Sequence, residues 1–101
     1  MNTLIVNQIL KSNSCTELDQ STVLSNHLNS FLQREEKVTL DFQNIEKISM
    51  LFINSLHNQL YDYNTLDSIK KNIDTINLNR LGYTMYEKSI NDLENYLINE
   101  T

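Results

Sequence analysis

Few side chains in this sequence are of the kinds that do chemistry, and spacing decides what each can do. Cys15 is the sole cysteine, so it has no intrachain disulfide partner, which fits a reducing compartment. Its neighbours Ser14, Thr16 and Glu17 include no base to stabilise a thiolate. His27 and His57 fall on different predicted helices with no third ligand in view, so no metal site is expected. Asp41 and Glu46 could pair as carboxylates, but an Asp at the end of a strand ordinarily does turn chemistry. No Gly-rich phosphate loop, Gly-x-Ser-x-Gly elbow or suggestively spaced Cys/His pair is present. The tyrosines Tyr61, Tyr63, Tyr83, Tyr86 and Tyr96 lack the basic surround of a base-stacking platform and read as core or rim aromatics. This inventory points away from an enzyme and implies no cofactor.

The residues that remain of interest are Ser49, Met50 and Leu51, at the place where an alternating run gives way to a helical one. The elements around them must therefore be read. A chain of 101 residues, 40% hydrophobic and 21% charged, is expected to form one globular domain over residues 1–101 with a modest core. The net charge is −5, and the 8 Lys and Arg are scattered, so direct nucleic-acid binding is not expected. The apolar runs are too short to span a membrane, and Met1-Asn2-Thr3 carries no basic residue before Leu4-Ile5-Val6, so a cytoplasmic location is expected. The absence of proline and the abundance of Asn, Ile and Lys suit AT-rich coding, as in a low-GC bacterial genome or a mobile element.

Thr3–Leu10 is β-branched and apolar and reads as a strand. A polar turn follows at Lys11–Cys15. The next helix begins between Thr16 and Ser21, where Thr16-x-x-Asp19 has the form of a capping box and Asp19 and Ser21 are alternative caps. Leu24, Leu28, Phe31 and Leu32 recur at helical spacing, with Ser25, Asn26, Asn29 and Gln33 assigned to the other face. Val38, Leu40 and Phe42 alternate with Thr39 and Asp41, the pattern of a strand with one face buried. Gln43–Lys47 is a polar connection. Ser49 is a good N-cap for a helix with Phe52, Ile53, Leu56, Leu60 and Tyr63 on one face and Asn54, Asn58 and Asp62 on the other. Leu66, Ile69 and Ile73 fit a helical turn or an approach to a strand. Asp74–Asn79 alternates through Ile76 and Leu78, Arg80–Tyr83 is a connection containing Gly82, and Thr84-x-x-Glu87 reads as a capping box. Tyr86, Ile90, Leu93 and Leu97 then mark the clearest helix. Alternating strands and helices predict an α/β domain: a mixed β-sheet with about three helices packed on it.

The stretch KVTLDFQNIEKISMLFINSLHNQL resembles the central signature of STAS-like domains, in which a strand ending Leu-Asp-Phe is followed by a short turn and a helix opening Ile-Ser-x-x-Phe. Here these are Leu40-Asp41-Phe42 and Ile48-Ser49-Met50-Leu51-Phe52, with Leu56 four residues on. Thr16-Glu17-Leu18-Asp19 resembles the family's entry to its first helix, and Ile76-Asn77-Leu78-Asn79 its last strand, so the resemblance runs over nearly the whole chain. The family is related to anti-sigma factor antagonists, which bind kinase-like ATPases and carry a phosphorylatable serine in an Asp-Ser-Ser-Gly corner. In this sequence the two switch positions fall on Met50 and Leu51, which have no hydroxyl. Ser49 keeps one, and is expected to cap the helix rather than to accept a phosphate.

The resemblance thus implies a non-enzymatic regulatory domain docking on a protein partner, such as a histidine-kinase-like ATPase, through Asn44, Ser49, Met50, Leu51 and Asn54. An alternative from another class is an inhibitor encoded by a phage or mobile element that binds and blocks a host protein. Pairing of exposed sheet edges would give a homodimer.

Overall fold

The computed structural model describes residues 2–100. Its elements in chain order are β1 (Asn2–Ile5), α1 (Val6–Leu10), β2 (Ser14–Cys15), α2 (Leu18–Leu32), β3 (Val38–Asp41), β4 (Lys47–Ile48), α3 (Met50–Tyr61), α4 (Leu66–Asn72), β5 (Ile73–Ile76) and α5 (Arg80–Glu100). The fold is α/β, as the alternation of patterns predicts.

A three-stranded sheet has the order β1-β3-β5, and a two-stranded one pairs β2 with β4. Both are parallel throughout, where a mixed sheet was expected. Helical crossovers return the chain to the same end of the sheet, so each strand re-enters in the direction of the last. Strand direction leaves no mark in a hydrophobic pattern, which is why alternation alone does not fix it. The register is Leu4↔Leu40↔Thr75 and Ile5↔Asp41↔Ile76. Val38 and Leu40 are buried under the helices, while Thr3 and Asp74 stay exposed on the other face.

Five helices are present among the described residues, where about three were expected. The first addition comes from the apolar run at the start of the chain. Thr3–Leu10 is not one strand: it turns helical at Val6, because Val6, Ile9 and Leu10 recur at i, i+3 and i+4 and pack on the core. Lys11, at φ 53°, ends that turn in the left-handed conformation. The second addition is α4, which resolves the ambiguous Leu66–Ile73 stretch. Thr65 caps it through a hydrogen bond accepted from the Ser68 N–H, and Ile73 opens β5.

Other boundaries move for local reasons. Gln20 Oε1 accepts from the backbone N–H groups of Thr16 and Glu17, so the capping interaction entering α2 uses Gln20 and not Asp19. Arg80–Tyr83 is the first turn of α5 and not a connection, because Asn79 Oδ1 accepts from the Gly82 N–H at 2.7 Å. Thr84 is therefore inside the helix, its hydroxyl donating to the Arg80 carbonyl. A Cβ on Gly82 would approach Leu78 Cδ2 at 3.0 Å and Asn79 Oδ1 at 3.2 Å, so this glycine serves close packing. Tyr63 lies beyond the end of α3 and is 73% exposed, not part of its buried face.

The core is a single cluster built from Leu24, Leu28 and Leu32 of α2, Phe52, Ile53, Leu56 and Leu60 of α3, and Val38, Leu40 and Phe42 around β3, among others. Serines line the α2/α3 seam. Ser25, assigned from the sequence to the outer face, is buried there: Ser25 Oγ donates to Gln59 Oε1, and Gln59 Nε2 donates to Ser21 Oγ and Ser55 Oγ, both at 3.0 Å. The Ser21 and Ser25 hydroxyls also reach carbonyls of their own helix, which lets small polar residues occupy a face that periodicity reserves for apolar ones.

Candidate interaction corner

The turn after β3 is built by Asp41. Its Oδ1 accepts from the Gln43 N–H at 2.9 Å and from Asn77 Nδ2 at 2.8 Å. The carboxylate thus closes its own turn and ties it to the end of β5. Asn44 and Asn77 sit at φ 61° and 62°, a left-handed region that asparagine tolerates better than most residues. Asp41 is therefore occupied in turn chemistry and makes no pair with Glu46 among the described contacts.

From this turn the chain enters β4, which pairs with β2 at Ser14↔Lys47 and Cys15↔Ile48. The Ser49 N–H extends the ladder to the Cys15 carbonyl at 3.0 Å. Ser49 Oγ then accepts from the Phe52 N–H at 3.1 Å, the N-cap that the sequence predicts. The pairing fixes the entrances of α2 and α3 side by side. The start of α5 joins them, since Gly82 lies against Ile48.

Each of these three helices presents an exposed leucine in its first turn. Leu18 opens α2 and is 52% exposed, Leu51 is second in α3 at 57%, and Leu81 is second in α5 at 67%. Of the residues singled out from the sequence, Asn44 and Asn54 are exposed, and Ser49 and Met50 are half-buried. At the start of α3, Met50 is thus partly exposed and Leu51 more fully so. Leu18 and Leu81 were not foreseen. Their signal was an apolar residue one or two places after a cap, off the buried stripe of its helix. The cavity under the corner, between Phe42, Ile48 and Leu78, is about 10 Å³, too small for a ligand.

The other chemically capable groups are dispersed. Cys15 is buried, and burial pushes its thiol up to about 12. His27 is exposed, with Nδ1 2.9 Å from the Val23 carbonyl. His57 is buried between α3 and α5, and burial lowers its pKa to about 4. Among the described residues no three His, Cys, Asp or Glu side chains gather at one point, and no helix is long and apolar enough to cross a membrane.

The strand, tight turn and capped helix at this corner agree with a comparison against protein-family models: the model described as a STAS-like domain of unknown function (DUF4325) matches residues 21–82. The chain belongs to this STAS-like family. The matched stretch runs from the first turns of α2 to the first turn of α5. It holds every residue of the corner from Asp41 to Asn54, whereas Thr16–Asp19 lies outside it. No curated protein and no solved structure matches the chain. In this STAS-like chain the first turn of α3 carries a half-buried thioether at Met50 and an exposed leucine at Leu51.

Proposed function

We propose that this STAS-like chain is a non-enzymatic regulatory domain that docks on a protein partner through the start of α3. The observation that carries the reading is Leu51: it stands 57% exposed on a turn rigidly held by the Ser49 cap, the Asp41 turn and the β2/β4 pair. Rigid presentation lowers the ordering cost of association, and an exposed apolar side chain at a helix start is a natural anchor. Asn44 and Asn54 flank it with hydrogen-bonding groups, and Met50 supplies an adaptable edge. With no hydroxyl at positions 50 and 51, this docking is constitutive and not switched by phosphate there. The partner class follows from the family resemblance: a histidine-kinase-like ATPase, met in the cytoplasm.

The test is affinity capture from the native host with the wild-type chain and with the Met50→Ser/Leu51→Ser double variant, alongside their thermal melting. A kinase-like ATPase captured by the wild type and lost by a double variant that still melts cooperatively supports the reading. Undiminished capture by the folded variant overturns it.

A further inference from the structure

A second surface, away from the α3 corner, lies along the free edge of β5. Among the described residues this strand pairs with β3 alone. The Phe42 N–H donates to the Ile76 carbonyl at 3.0 Å, which turns the backbone groups of Ile76, and of Asp74 two residues before it, toward β3. The backbone groups of Ile73 and Thr75 therefore face the open edge. The Ile73 N–H is taken by the Ile69 carbonyl. The N–H and C=O of Thr75 are left pointing outward, the donor and acceptor that a further strand requires.

Beside this edge runs a groove of about 210 Å³ between β5 and α5. Its floor is apolar, made of the buried Ile69, Ile73, Tyr86 and Ile90, and its mouth carries Asp74 and Glu87. Lys70 is engaged by Glu94 at 2.7 Å. Asp74 and Glu87 form no ion pair among the described residues. Both carboxylates act on the groove: after burial, they are the next causes that raise the Tyr86 phenol. A strand edge, an apolar floor and an acidic mouth occur together here.

We infer that the β5 edge and the β5/α5 groove bind an extended segment of a partner protein as a fourth strand, with alternate apolar side chains in the groove beside Glu87 and the intervening basic ones against Asp74 on the opposite face of the sheet. Main-chain hydrogen bonds at Thr75 give affinity, and the carboxylates select charge. The surface is independent of docking at Leu51.

The probe is a labelled hexapeptide of alternating lysine and valine, with a glutamate and valine hexapeptide as control. The lysine peptide should bind saturably by fluorescence anisotropy, more weakly as salt rises, and the glutamate peptide should not. The Thr75 amide should exchange its hydrogen at least about tenfold more slowly in the complex. Thr75→Pro, which removes an outward N–H at an edge position where proline is tolerated, should weaken binding about tenfold or more. The Asp74→Lys/Glu87→Lys variant should reverse the peptide preference, and it decides the matter if Thr75→Pro fails to fold. Met50→Ser/Leu51→Ser should bind the peptide like the wild type. Absence of binding, equal binding of both peptides, or an unchanged Thr75 exchange rate overturns the inference. Sedimentation showing a dimer of the chain alone that Thr75→Pro dissolves would assign the edge to a second copy and overturn it too.

Discussion

His57 on α3 and Ser89 on α5 are joined by a 2.7 Å hydrogen bond between Nδ1 and Oγ, both side chains being buried. The imidazole stands edge-on to Tyr86, with ring centroids 4.5 Å apart, and its Nε2 has no hydrogen-bond partner among the described residues. A histidine so placed is held neutral: a second ring proton would put an uncompensated charge in an apolar seam.

Acid should therefore loosen the α3/α5 seam. Burial lowers the folded pKa of His57 from 6.5 to about 4, so the unfolded chain takes up a proton first. Stability attributable to this group is intact above pH 6.5 and falls as pH drops from there toward 4. At about 1.4 kcal/mol per pH unit, the loss between pH 7 and pH 4.5 is roughly 2–3 kcal/mol. Denaturant titrations of the wild type and His57→Gln at both pH values check this. The wild type should lose more stability than the variant by that amount, and equal losses would count against it.

Cys15 should be inert in the folded protein. It is fully buried, and its thiol is pushed up to about 12, so almost no thiolate exists at pH 8. A chromogenic disulfide reagent should titrate no thiol in native buffer and one thiol per chain in guanidinium. Rapid native modification would show that β2 opens readily.

The corner should separate stability from exposure. Ser49→Ala removes the cap on α3 and should cost about 1 kcal/mol. Leu51→Ser, at an exposed position, should change stability by no more than about 0.5 kcal/mol. Urea melts of the two single variants report this directly. A large loss for Leu51→Ser would mean that this leucine packs inward.

The polar seam should respond to the loss of its hub. Gln59→Leu removes partners from Ser21, Ser25 and Ser55 together and should cost about 1–2 kcal/mol. Adding Ser21→Ala, Ser25→Ala and Ser55→Ala to Gln59→Leu should recover most of it, since an apolar seam leaves nothing unpaired. Equilibrium unfolding of the single and quadruple variants tests the pair of expectations.

Much of this architecture was legible because it is local. Val38, Leu40 and Phe42 alternate, and a side chain that alternates along an extended backbone must share one face with its second neighbour. Leu24, Leu28 and Leu32, and Phe52, Leu56 and Leu60, recur at helical spacing and are all buried. The Ser49 cap is likewise a matter of three residues, and the family match over residues 21–82 includes this same strand, turn and helix.

What the linear order could not hold is whatever depends on residues far apart along the chain. The two-residue strands β2 and β4 exist only because each supplies the other's hydrogen bonds across more than thirty residues. Ser25 is buried because Gln59 awaits it, and His57 is neutral because Ser89 and Tyr86 close over it. The sequence by itself determined the α/β class, the central strand and helix, and the absence of hydroxyls at positions 50 and 51. Only the tertiary structure decided that all strands run parallel, that Leu51 is outward beside Leu18 and Leu81, and that β5 keeps an open edge. Periodicity records which side of an element is apolar, but hydrogen-bond partners and solvent exposure are settled by what packs against it.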